Sequence, residues 1–177
     1  MSAPDPGYPY EETDDLRSGP DLHADLLPLL PLVGRWRGTG KGGYTGIEDF
    51  DFAQEVRFSH DGRPVLAYES RTWIIDSDGH PLRPYNREFG WWRPLQKDEV
   101  ELLLVDQEGY SALLVGEVQG TRFEMSSDAV LRSASAKQVT GEHRLYGIVE
   151  GDLLYAVDQA ADGEQLRPYM SGRLVRL

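Results

Sequence analysis

The chain has 177 residues, 40% of them hydrophobic, with 30 acidic against 18 basic side chains and a formal net charge of −12. That is length and apolar content enough for a single domain with a real core, and no apolar run approaches the roughly 20 residues of a membrane span. The acidity argues against a nucleic-acid binder, which needs a basic stripe. The absence of cysteine excludes disulfides, thiolate nucleophiles and Cys-ligated metals and fits a reducing cytoplasm; no secretory signal is read.

The first 22 residues, "MSAPDPGYPYEETDDLRSGPDL", carry six acids, one arginine, four prolines and two glycines. Such a segment buries too little to offset its ordering entropy, so residues 1–20 are expected to be a disordered acidic tail and residues 21–177 the folded domain. "DLHADLLPLLPLVG" (21–34) opens with Asp21 as a cap and reads as one or two helical turns that Pro28 and Pro31 stop.

Beyond residue 34 the chain changes character. Turn signals recur at 60–62, 77–79, 107–109, 118–120, 149–152 and 161–163, each with a glycine able to take positive φ. Looser breaks at 41–48, 94–98 and 129–136 bring the connections to nine, hence about ten antiparallel strands. A long meander almost without helix hides its edges best by closing, so the expected fold is all-β: a single up-and-down antiparallel barrel with a short N-terminal helical lid. A two-sheet sandwich is the alternative.

"GRWRGTGKGGYTGI" (34–47) contains G-x-G-x-x-G at 38–43. A dinucleotide site needs a strand before those glycines and a helix after them, and strand-like sequence follows instead. Nor is it a P-loop, since Lys41 is followed by Gly42. Gly34, Trp36, Gly38, Gly40 and Gly42 fall at even spacing on one strand face, where glycines permit sharp coiling or close approach of another group.

"GRWRGTG" also resembles the G-x-W-x-G-x-G signature of the nitrobindins, and the resemblance runs from about residue 25 through "AKQVTGEHRLYGIVEGDLLYAV" (136–157) to "GEQLRPYMSGRL" (163–174). It implies a ten-stranded barrel, similar to fatty-acid-binding proteins, with haem b in an apolar pocket whose ferric iron isomerises peroxynitrite to nitrate and binds nitric oxide. It further implies an iron-ligating histidine in the last strand, within G-x-x-L-x-x-H, and a lysine near the haem.

Lys137 matches that lysine, but Gly163–Tyr169 places tyrosine where the ligand histidine is implied, and "YTGI" (44–47) replaces the implied Y-P-T-I. Neutral imidazole offers a lone pair at neutral pH, whereas a phenol must first lose a proton with an ordinary pKa near 10. Tyrosinate would prefer ferric iron and a cationic neighbour, for which Arg167 and Arg173 stand at even spacing from Tyr169. Alternation puts Leu166, Met170 and Leu174 on one face and Tyr169 on the other. An inward-apolar rule therefore turns Tyr169 out of the barrel, unless the outer face packs on a partner or the strand bulges.

His23, His60 and His80 read as exposed loop residues, and His143 as a structural strand residue that alone could reach an interior. Trp91 and Trp92 point to opposite faces, one of them inward. Glu48, Asp49 and Asp51 read as a solvated turn, "SSDAVLRSASAK" (126–137) as a flexible connection, and no spacing suggests a metal site. The expected protein is a cytoplasmic nitrobindin-like barrel in which Tyr169 replaces the iron ligand, so that haem binding is lost and the cavity takes a small or apolar ligand. The alternatives are a tyrosinate-ligated ferric haem b enzyme acting on peroxynitrite, with Tyr169 and Lys137 in its pocket, and a homodimeric partner-binding barrel without catalysis.

Overall fold

The structure, a computed structural model, describes residues 8–177. The strands are β1 (Gly34–Tyr44), β2 (Ile47–Ser59), β3 (Leu66–Ile75), β4 (Pro81–Pro94), β5 (Glu99–Asp106), β6 (Tyr110–Gln119), β7 (Arg122–Arg132), β8 (Val139–Val149), β9 (Asp152–Ala161) and β10 (Arg167–Arg176). Each pairs antiparallel with its neighbours in sequence, and β1 pairs with β10, so the sheet closes into a barrel and no sandwich forms. Each of the nine turn signals finds a connection; seven contain a glycine at positive φ, which reverses the chain without a steric cost, whereas the β4–β5 turn uses Lys97 and Asp98 at positive φ. No helix of the described residues is long and apolar enough to cross a membrane.

Alternation along the strands builds the interior. β9 alternates half-buried and buried residues from end to end, and its inward set includes Leu153, Tyr155 and Val157. On β4, Trp92 is fully buried against Phe58, Phe123 and Tyr146, while Trp91 is half exposed on the outside. One end of the barrel is plugged by a 3-10 helix, Ala24–Leu32, that runs through both prolines. Its cap is His23, whose Nδ1 accepts from the Asp25 amide at 3.2 Å, in place of the expected Asp21. Leu26, Leu29 and Leu32 are fully buried, each contributing about 1.5–3 kcal/mol. The Trp36 indole seals the plug by donating to the Leu32 carbonyl at 2.8 Å.

The inward face of β1 is glycine because the seam with β10 is tight there. A Cβ at Gly38 would run into the Arg173 carbonyl and the Leu174 Cα, and one at Gly40 into the Ser171 carbonyl and the Phe52 ring. "SSDAVLR" is not a flexible connection: residues 126–132 extend β7, paired with β6 as far as Tyr110↔Arg132. The β7–β8 ladder stops at Ser126↔His143, so the wall parts beyond it and the loop 133–138 crosses the gap.

Residues 1–7 of the expected disordered tail lie outside the described residues. The acidic stretch after them is tied down: Thr13 bridges His60 through backbone hydrogen bonds of 2.8 and 2.9 Å, and Asp14 accepts from both Arg35 and Arg57. This strap buries His60, which is 2% exposed and is therefore no exposed loop residue.

Candidate functional site

The open end of the barrel, opposite the helical plug, gathers the residues that carry chemistry. Strand β10 delivers Tyr169 through a β-bulge: Pro168 pairs with Asp158 and Met170 with Val157, leaving Tyr169 as the extra residue. Strict alternation fails at that point, and Tyr169 turns toward the interior with Met170 instead of out of the barrel. Its hydroxyl is hydrogen-bonded to that of Tyr85 on β4 at 2.7 Å, and its ring meets Tyr44 edge-on with centroids 6.3 Å apart.

Burial foremost, reinforced by the neighbouring Tyr85, pushes the Tyr169 phenol far above its ordinary range, so it stays protonated. The arginines that could favour a phenolate are engaged elsewhere. Arg167 pairs with Glu164 at 2.9 Å, and Arg173 with Asp152 at 2.6 Å. Lys137 is the cation that approaches, with Nζ 4.6 Å from the Tyr44 centroid and 5.1 Å from that of Tyr169. It lies over the ring faces, has no ion pair among the described residues, and its own pKa is lowered by burial, Asp162 and Glu108 opposing.

Beneath Tyr169 lies a buried ionic network that the sequence reading did not anticipate. Arg144 on β8 holds Glu88 in a two-pronged pair (2.7 and 3.0 Å) and donates from Nε to Glu142 at 2.5 Å. Tyr68 donates to Glu88 at 2.9 Å and Tyr110 to Glu142 at 2.7 Å. Burial opposes ionisation of both carboxylates. At Glu88 the Arg144 charge and hydrogen bonds outweigh it and lower the pKa; at Glu142 burial wins and raises it. Glu142, Arg144 and Tyr146 share the buried face of β8, and His143, expected to be able to reach an interior, lies on the other.

The four histidines take no part. His23 and His80 are surface residues, His60 lies under the N-terminal strap, and His143 faces outward between Glu124 (3.0 Å) and Asp158 (3.5 Å). Glu48, Asp49 and Asp51 lie on strand β2, not in the expected turn; they sit on its surface, and Asp51 pairs with Lys41 at 2.9 Å. Asp76, Asp78 and His80 gather in an exposed turn where Asp76 already accepts the amides of Asp78 and His80.

The enclosed space is small and polar. One lobe of about 20 Å³ lies among Gln54, Tyr68, Arg144 and Tyr155. Another of about 60 Å³ lies among Tyr85, Glu88, Asp106, Glu108, Lys137 and Gln159, and Tyr169 borders both. A larger, open depression of about 820 Å³ runs along β1, β10 and β9, where Tyr44, Phe50, Val157, Met170 and Tyr169 line it together with Lys41, Asp51, Asp158 and Arg167. A porphyrin needs an enclosed cleft on the order of 300 Å³ or more with largely apolar walls, and an axial donor with a free lone pair. As arranged, the interior offers charged walls, less room, and a protonated phenol bonded to a second phenol. In this arrangement Tyr169 presents iron no free lone pair, and the donor set does not match a haem ligand.

A family model described as THAP4-like, heme-binding beta-barrel domain matches residues 25–176. A peroxynitrite isomerase of Salinispora tropica is 54% identical over 175 residues, covering 96% of this chain and 89% of that protein. A ferric nitrobindin-like protein of Saccharopolyspora erythraea is 44% identical over 169 residues, covering 94% and 80%. The crystal structure of Rv2717c from M. tuberculosis superposes with a TM-score of 0.80 at 33% identity, covering 89% of this chain and 99% of the other. With its closed ten-stranded barrel, the chain belongs to the THAP4-like heme-binding β-barrel family, the nitrobindins.

Proposed function

We propose that this barrel keeps the nitrobindin fold but has exchanged haem iron ligation for the binding of a small ligand in a polar interior. The observation that carries the reading is the Tyr85–Tyr169 hydrogen bond, made by the residue that stands where the resemblance implies an iron-ligating histidine. A phenol held protonated by burial gives iron no lone pair at neutral pH. The charged walls formed by Asp106, Glu108 and Lys137 support the same conclusion, because charges without an ion pair beside a porphyrin face would lose hydration without gaining partners. The protein would act as a cytoplasmic binding protein.

A second reading has a specific basis in the 54% identity to a protein named peroxynitrite isomerase and in Lys137 stacked on the Tyr169 ring. In that reading Tyr169 would hold ferric haem as tyrosinate, with Lys137 favouring the charged oxygen. Titrating the purified protein with hemin and recording the absorption spectrum separates the two. The first reading expects no saturable Soret change. A one-to-one change that disappears in Tyr169→Phe would establish the second. A Soret band gained in Tyr169→His but absent from the wild type would trace the difference to the axial donor alone.

A further inference from the structure

The 60 Å³ lobe has a chemistry of its own. Gln159 on β9 lines the lobe and is 9% exposed, and its side-chain Oε1 is buried with no hydrogen-bond partner among the described residues. A buried amide oxygen left unpaired costs about 1–3 kcal/mol, so the position asks for a donor. Asp106, at the end of β5, turns the same way. Its Oδ1 accepts the amides of Glu108 and Tyr110 at 2.8 and 3.0 Å, and no bond occupies its other oxygen among the described residues.

The charges around the lobe point to the sign of the occupant. Glu88, Asp106 and Glu108 line it, with Glu142 behind Tyr110, against Arg144 and Lys137. Arg144 and its partners Glu88 and Glu142 compensate one another, which leaves Asp106 and Glu108 as the lining carboxylates without an ion pair among the described residues. Lys137 lies over the rings of Tyr44 and Tyr169. An anion would face more carboxylates than free cations, and an apolar group would leave Gln159 Oε1 and Asp106 unsatisfied. A lobe of about 60 Å³ has room for roughly four to six water-sized groups at ~10–15 Å³ each.

We propose that this lobe binds a small planar cation of the guanidinium or amidinium class, its N–H groups donating to Gln159 Oε1 and Asp106 and its charge facing Glu108. The proposal rests on the reading that no porphyrin takes the space, and it names the ligand class for that interior. Such a ligand supplies several donors in one plane without an acceptor, which matches an acceptor-lined lobe.

The test is isothermal calorimetry on the full chain at constant ionic strength with methylguanidinium, with methylurea as its neutral shape match and nitrate as a planar anion. Saturable one-to-one binding of methylguanidinium is expected, at least tenfold tighter than either control. Gln159→Leu removes the orphan acceptor at similar volume, and Glu108→Gln neutralises an exposed carboxylate. Each should weaken binding tenfold or more, with the thermal midpoint unlowered. Equal binding of methylurea or nitrate, no saturable binding of methylguanidinium, or full affinity in both variants overturns the proposal. Hemin added to a parallel sample keeps the two ideas apart. A Soret change would refute the haem-free reading, whereas its absence together with no cation binding would refute this site alone.

Discussion

The hydroxyls of Tyr85 and Tyr169 are 2.7 Å apart across the open end of the barrel, each the other's hydrogen-bond partner. Ionising either one would place a phenolate in a half-buried site whose immediate neighbours include Glu88 and Glu108. Both phenols are therefore pushed upward, chiefly by burial. Tyr68, Tyr110, Tyr146 and Tyr155 are raised as well, again chiefly by burial. Spectrophotometric titration of the folded protein should show six of its nine tyrosines ionising later than in denaturant, where all titrate near 10. Nine phenols rising together in the folded state would contradict this. Tyr169→Phe removes the inter-tyrosine bond and should cost about 1 kcal/mol in urea unfolding.

Arg144 is the keystone of the interior charge. Arg144→Met would leave Glu88 and Glu142 buried without their counter-charge, which should cost about 3–5 kcal/mol. Replacing all three by Gln, Met and Gln removes the charges together and should cost less than Arg144→Met alone. Urea unfolding of the single and triple variants checks this, because the pairs share one network and their effects cannot add. A triple variant less stable than the single one would mean the network contributes net stability.

The barrel was legible because hairpin glycines and period-two alternation are local signals, and nine reversals leave little else for the chain to do. The open end was not. Tyr169 reaches the interior only because β10 gains a residue relative to β9, and a bulge leaves no mark in hydrophobic alternation. His60 looked like a hairpin tip because the strap that buries it comes from Thr13, some 47 positions earlier, in a segment whose composition argues for disorder. Glu142 and Arg144 stabilise each other only in three dimensions, so each taken alone reads as a surface residue.

The seam between β1 and β10 depends on absent side chains. In Gly38→Ala the new methyl meets the Arg173 carbonyl and the Leu174 Cα, both of them backbone, so the strands themselves must separate. A loss of at least 2–3 kcal/mol is expected. Gly46→Ala makes the useful comparison. That turn glycine has open space around it but sits at φ +80°, so its smaller penalty, on the order of 1 kcal/mol, reflects backbone strain alone. Thermal midpoints of the two variants should rank in that order, and a Gly38→Ala protein as stable as Gly46→Ala would show that the seam can yield.

The N-terminal strap should make stability depend on pH through His60. Both ring nitrogens are buried without partners among the described residues, and burial lowers the pKa, with Asp61 opposing. The folded state therefore disfavours the proton that the unfolded chain takes up near pH 6.5. Stability is fully present above that value and is lost as pH falls from there through the lower folded pKa, because the unfolded state binds more protons in that window. Asp14 acts in a separate, more acidic window. Burial opposes its ionisation, but Arg35 and Arg57 outweigh it and lower its pKa, so its contribution is lost only below the ordinary carboxylate range near 4. His60→Leu removes two unsatisfied ring nitrogens at the cost of little volume. It should keep or raise stability at pH 7 and abolish the decline just below pH 6.5, leaving the acid limb in place. Chemical denaturation at half-unit pH steps reads both windows, and an unchanged slope below pH 6.5 in the variant would show that His60 is already solvated in the folded protein.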